Sequence, residues 1–421
     1  MSQEQLLQRA SEVMPASGFG NFDPGIIIRE GKGSRVWDED GNEFIDYLAG
    51  SGPMILGHGH PEILDAVSEQ MTKGMTFFAH NARGIELAEE ICRALPCAEQ
   101  VRYVCTGSEA DMYAMRLARA YTERDKILKF EGGYHGMSAE AQMSLAPERQ
   151  VNFPLAIADS AGIPESVRND MLIAPYNDTE FVRSIMEEHA GTIAAVIVEP
   201  FQRVIPPEPG FLETLRETCD QHGTVLIFDE VVTGFRFSYG GAQSLYGVTP
   251  DVCTLGKIIG GGFPLAAIAG KAEVMAHFDK EKVGPERFLM QLGTLSGNPL
   301  AAVSGLKTLE ILRRPGQYDK LYETGKTLME GIGERLRDAG HAAQVVGHPT
   351  LFDVVFRKEP VRNYRDVLSG DRDKASRFNA TLQASRILKT PGKFYISLAL
   401  TDTDIDETLA AVQLAARQLT H

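Results

Sequence analysis

Between residues 61 and 311, amphipathic helical stretches alternate with short apolar runs. That alternation restricts the chain to an α/β domain whose mostly parallel sheet is covered on both faces. Helical periodicity is read over 62–71, 84–94, 109–121, 178–189 and 211–221, and apolar runs over 101–105, 126–130, 194–199, 225–229 and 252–255. In such sheets ligands lie beyond the carboxyl ends of the strands, so the residues directly after these runs are where chemistry is sought.

The flanks read differently. The first 48 or so residues suggest a helix, an irregular segment and a β-meander with a turn at Asp40-Gly41. From about residue 302 a long helix leads into short strands over 343–346, 351–356 and 394–398 and a polar helix over 402–419. These readings divide the chain into an N-terminal segment (1–55), a large α/β domain (56–311) and a smaller α+β domain (312–421) to which the N-terminal segment is added. A chain of 421 residues is too long for one core, which agrees.

The formal net charge of −15 argues against nucleic acid or an anionic membrane as partner. The five cysteines are scattered and form no C-x-x-C pair, against a disulfide framework or a zinc ribbon. No apolar run approaches the length of a membrane span, and the start lacks the basic-then-apolar layout of a signal peptide, so a cytoplasmic location is expected. There is no G-x-x-x-x-G-K-[ST] and no early G-x-G-x-x-G after the first strand, which excludes a P-loop enzyme and disfavours a dinucleotide-binding dehydrogenase.

Four places carry chemistry. In "VCTGSEADMYAMRLARAY" Gly107 and Ser108 precede a helix, whose free N–H groups suit an anion such as phosphate, although Gly-Ser is also an ordinary helix start. In "TVLIFDEVVTG" an apolar run delivers Asp229 and Glu230 to a strand end, where a carboxylate is either solvated, a metal ligand or paired with a cationic heterocycle. In "DVCTLGKIIGGGFPLAA" a single lysine, Lys257, follows a strand and precedes glycines that let backbone approach a flat ligand. Its amine becomes a nucleophile if desolvated. In "FEGGYHGMS" Tyr134 follows a Gly-Gly turn, placed either to stack on a planar ligand or to pack.

Taken together, a phosphate cradle, an aromatic, a strand-end carboxylate and an amine are what pyridoxal 5′-phosphate (PLP) requires. Here the sequence resembles the fold-type I, class III (subgroup II) aminotransferases, especially their glutamate-1-semialdehyde aminomutase-like branch. The strings that carry the likeness are "GPMILGHGHPEI", "TGSEA", "KFEGGYHG", "AAVIVEP", "FDEVVTGFR", "TLGKIIGGGFPLAAIAG" and "GTLSGNPLA". The resemblance implies a mostly parallel seven-stranded sheet in the large domain. It also implies that Lys257 forms the Schiff base, Asp229 pairs with the pyridine nitrogen, Gly107 and Ser108 hold the phosphate, and Tyr134 and Val231 take the two ring faces. Thr294 would reach the cofactor phosphate of a neighbouring subunit in a homodimer. Glu199 of "VIVEP" would belong to the shell around the cofactor, or be a buried acid satisfied by the fold.

Departures concern the substrate. Ser51 stands where the aminomutases have tryptophan, no arginine occurs in "PASGFGNFD", Val232 replaces a glutamine common in the class, and Arg203 replaces a glycine. Arg203 would pair with a protein acid, bind a substrate carboxylate or be a solvated surface residue, with Ser51, Phe77 and Phe78 shaping the pocket in the second case. The expected reaction is transfer of an amino group from a donor amine or amino acid to a keto acid, aldehyde or ketone. An aminomutase, epimerase or decarboxylase on the same cofactor is the alternative, and a non-catalytic PLP- or nucleotide-binding protein is the rival from another class.

Overall fold

The computed structural model describes residues 2–419 and divides the chain into two compact units. The larger comprises Asp65–Arg314 and Val361–Leu368; the smaller takes the N-terminal residues up to Leu64, Pro315–Pro360, and the residues from Ser369 on. The boundaries differ from those read in the sequence mainly at Val361–Leu368, which belongs to the larger unit. There Arg365 grips buried Glu131 with two hydrogen bonds of 2.7 and 3.0 Å, and Tyr364 lies so close to Gly132 that an added Cβ would stand 2.5 Å from its ring.

The larger unit holds seven strands: β1 Gln100–Val104, β2 Lys126–Phe130, β3 Met171–Ala174, β4 Ile193–Val198, β5 Val225–Asp229, β6 Val252–Leu255 and β7 Ala266–Gly270. Their order is β1-β7-β6-β5-β4-β2-β3. β2 to β6 pair in parallel, and β7 runs antiparallel to both β1 and β6, so every strand but β7 shares one direction. All six residues of β4 (IAAVIV) and all five of β5 (VLIFD) are buried, as a sheet covered on both faces demands. Helix Gly107–Thr122 lays Ala110, Ala114, Leu117 and Ala118 on this core at helical spacing.

The smaller unit is built from both ends of the chain. Strands Ile28–Lys32, Arg35–Asp38 and Glu43–Asp46 form an antiparallel meander, and Ile387–Leu388 adds to Glu43–Asp46 in parallel. A second sheet joins Gln344–His348, Leu351–Val355 and Phe394–Tyr395. Asp404, 1% exposed, ties the two ends: its carboxylate accepts from Ser34 Oγ at 2.8 Å, pairs with Arg35 at 2.7 Å and closes the capping box of helix Asp402–Gln418 with Thr401.

Candidate active site

With six strands running one way, their carboxyl ends collect on one side of the sheet, and the sequence-predicted site residues follow there. Asp229 is the last residue of β5, Glu199 follows β4, Lys257 comes two residues after β6, and Tyr134 and His135 lie in the loop after β2. Gly107 begins the helix after β1.

Gly107 and Ser108 do not precede that helix, as the sequence suggested; they are its first two residues. Thr106 is the N-cap, its hydroxyl accepting from Glu109 N–H at 3.1 Å while the Glu109 carboxylate accepts from the N–H groups of Cys105 and Thr106, both at 2.9 Å. The T-x-x-E spacing was the available signal. This cap leaves Gly107 and Ser108 N–H groups without intrahelical acceptors. A Cβ on Gly107 would lie 2.9 Å from Val231 Cγ1, and one on Gly256 3.1 Å from the same methyl. A Cβ on Gly136 would lie 2.4 Å from Ser108 Cα. The chain therefore closes around Val231 and Ser108 only because these positions carry no side chain.

Asp229 is 5% exposed. Its Oδ1 accepts from Val231 N–H at 3.0 Å and its Oδ2 lies 2.8 Å from His135 Nδ1. Asp111, 2% exposed on the inner face of helix Gly107–Thr122, completes a trio whose ligand atoms all lie within 4.8 Å of one another. Burial first, then the nearby Asp229 charge, holds the Asp111 carboxyl well above the ordinary carboxylate range. Neither Asp111 nor His135 was picked out from the sequence. Asp111 is four residues after Gly107, hence on the same helical face, and that spacing was the only signal.

Asp229's neighbour Glu230 has a separate task. Fully buried, it accepts from Thr233 Oγ1, from Ala242 and Gln243 N–H and from Gln243 Nε2, capping helix Gly241–Tyr246.

Lys257 opens a short 3₁₀ turn, Lys257–Gly260, with φ of 48°, a left-handed conformation unusual for a residue with a side chain. The turn is clamped onto helix Pro299–Leu312. Ser304 Oγ donates to Gly261 O at 2.8 Å, and a Cβ on Gly305 would stand 2.0 Å from Ile259 O. Part of the glycine signal around Lys257 thus serves close packing of its turn against a helix and against Val231.

Tyr134 is half-buried, and burial raises its hydroxyl above the usual tyrosine range. Its N–H donates to Glu199 Oε2 at 2.9 Å, so the buried Glu199 fixes the Tyr134 backbone. The Arg203 guanidinium lies 5.1 Å from the Tyr134 ring centre and its Nε donates to Gly132 O at 3.0 Å. Arg203 is half-buried with φ of 62°, and among the described residues it is not ion-paired to a protein acid. Phe77, Phe78 and Thr294 are exposed on the larger unit, and Ser51, also exposed, belongs to the smaller one. Lys129, fully buried on β2, donates to Ala141 O and Met143 O, and burial pulls its pKa down to about 7.

A family model, aminotransferase class-III, matches residues 19–415. Glutamate-1-semialdehyde 2,1-aminomutase 2 of Brevibacillus brevis is 43% identical over 401 residues, covering 93% of this chain and 91% of that protein. An ω-transaminase from Sphaerobacter thermophilus superposes with a TM-score of 0.94 at 34% identity, over 100% of this chain and 98% of that one. A β-phenylalanine aminotransferase from Variovorax paradoxus gives 0.85 at 33% identity, over 98% and 93%. The chain belongs to the class-III aminotransferases. It is a PLP-dependent aminotransferase of fold type I. Among the described residues no helix is long and apolar enough to cross a membrane.

Proposed function

We propose that Lys257 and Asp229 are the catalytic pair and that the enzyme transfers an amino group from an amino acid or amine to a keto acid, aldehyde or ketone. The observation that carries this is the convergence of Asp229, Lys257, Tyr134 and the Gly107–Ser108 helix start at one end of one sheet. The residues fit PLP: a buried carboxylate with fixed orientation, an amine on a rigid turn, an aromatic braced on two sides, and a glycine-walled helix N-terminus for an anion. When bound, the cofactor supplies an aldehyde for amines and an electron sink for the substrate carbanion. Asp229 keeps a proton on the ring nitrogen; Gly107 and Ser108 N–H groups receive the phosphate; Tyr134 and Val231 restrain the ring faces. Lys257 provides the amine that holds the aldehyde and, once displaced, the base that moves a proton at the donor carbon.

Donors with the amine β or ω to a carboxylate head the candidates, because the ω-transaminase and the β-phenylalanine aminotransferase cover nearly the whole chain. Ser51, Phe77 and Phe78 are assigned to substrate shape. The alternative outcome, an aminomutase, is kept by the Brevibacillus brevis relative; the missing N-terminal arginine and Ser51 weigh against it. The discriminating experiment mixes the yellow enzyme with amino donors and no keto acid. Stoichiometric bleaching with release of carbonyl product is expected. Turnover of a single amino aldehyde without any acceptor identifies the mutase.

We assign a homodimer and a cytoplasmic location to this enzyme. Phe77, Phe78, Ile85, Met290, Leu292 and Leu295 are exposed apolar residues near Thr294 in sequence or held close through the Asn81 Nδ2 to Gly297 O bond of 2.8 Å. Such a set on one unit is the composition of a subunit interface. Leu292→Asp, at a residue 76% exposed, should yield monomer in light scattering, with Thr294 lost from the neighbouring site.

A further inference from the structure

Asp229 has company that its proposed pairing with the cofactor does not require. Asp111 is a second carboxyl, 2% exposed, within 4.8 Å of both Asp229 and His135. Two carboxylates this close and this buried cannot both ionise, so one proton must be held between them or a cation must lie there. A shared proton fits better than a metal ion, because it needs no coordination shell of its own beside the Val231 N–H and the His135 ring on Asp229.

The surroundings decide which carboxyl keeps the proton. Asp229 already faces two hydrogen-bonding groups, the Val231 N–H that donates to its Oδ1 and the His135 ring beside its Oδ2. Asp111 receives a neutral donor, Thr254 Oγ1 at 2.6 Å to its Oδ1, and its other oxygen can carry the hydrogen. The other charged or titratable groups acting on Asp111 or its neighbours come from separate elements: Lys257 from the turn after β6, Lys129 from β2 and Tyr134 from the loop after β2. Lys257 opposes proton retention, but by less than burial and Asp229 support it.

We propose that Asp111 is a neutral acid at working pH, a positioning residue that donates its proton as a hydrogen bond to Asp229. Three donors then converge on Asp229: Val231 N–H, the His135 ring and Asp111. Three hydrogen bonds to one carboxylate fix its orientation toward a ring nitrogen. His135 Nε2, buried and without a hydrogen-bond partner among the described residues, leaves the ring free to keep its Nδ1 proton for Asp229. The consequence rests on the reading that Asp229 faces the cofactor nitrogen; the protonation of Asp111 does not.

The test uses holoenzyme labelled with ¹³C in the aspartate carboxyls, which removes Glu230 from view. Infrared spectra at neutral pH should show an isotope-shifted carboxylic-acid band in the wild type, and Asp111→Asn should abolish it. Asn is neutral and keeps a donor, so its turnover should stay within about twofold of wild type, while Asp111→Val should lose about tenfold to a hundredfold. The wild-type activity should also fall on an alkaline limb that Asp111→Asn lacks. A wild type without the acid band, a band that survives in Asp111→Asn, or an Asn variant as impaired as the Val variant overturns the proposal. Failure of the underlying reading is separate: it would appear as near-normal turnover in Asp229→Asn, whatever the Asp111 spectra show.

Discussion

The Arg203 guanidinium sits 5.1 Å from the centre of the Tyr134 ring while its Nε is bonded to Gly132 O. A cation held over an aromatic face is attracted to it by about 0.5–2 kcal/mol. With Glu199 gripping the Tyr134 backbone at 2.9 Å, the ring is braced on the side chain and on the main chain.

This relationship changes what Arg203→Ala should do. A substrate-binding arginine would cause selective loss of affinity for an amino acid over its decarboxylated amine. A brace for Tyr134 predicts an equal loss on both compounds, about twofold to thirtyfold in kcat/KM. Paired kinetics on an acid and its amine decide between the two, and selectivity for the acid would support the carboxylate role.

Asp111 gives a stability prediction whose sign is fixed. Its carboxyl is held well above the ordinary value of 3.8. The native state therefore retains a proton that the unfolded chain gives up above that value. The contribution of Asp111 to stability is full in acid and is lost as pH rises through its native pKa. Asn has nothing to titrate. The melting temperature of Asp111→Asn relative to wild type should rise steadily from about pH 4 upward, read by thermal unfolding across pH; a constant difference would contradict the raised pKa.

Gly305 is far from Lys257 in sequence, yet a Cβ there would lie 2.0 Å from Ile259 O in the Lys257–Gly260 turn. Gly305→Ala should cost about 1–3 kcal/mol of stability. It should also displace the lysine, so PLP affinity, measured by fluorescence titration, falls together with the melting temperature. Unchanged PLP affinity would show that the turn does not depend on this contact.

Much of the large unit was legible. The runs 126–130, 225–229 and 252–255 are β-branched or aromatic, bounded by turn residues, and are strands β2, β5 and β6 with those bounds. β7 was missed because AAIAG has little strand propensity; it is a strand through pairing with both β1 and β6. β3 was missed because it is only four residues long. Asp229 and Lys257 were found because each ends or follows a recognisable strand. Asp111 was hidden inside an amphipathic helix, where an acid reads as a solvated position until the inner face is known. The return of Val361–Leu368 to the larger unit rests on Arg365 meeting Glu131, a contact 234 residues apart that no local pattern encodes.

Lys257 is the residue assigned to carry the cofactor. Borohydride reduction of the yellow enzyme followed by peptide mapping tests it most directly. A pyridoxyl label is expected on Lys257 and not in Lys257→Ala, which should still bind some PLP through the helix start at Gly107 and the Asp229 carboxylate. A label on any other lysine, the buried Lys129 included, would contradict it.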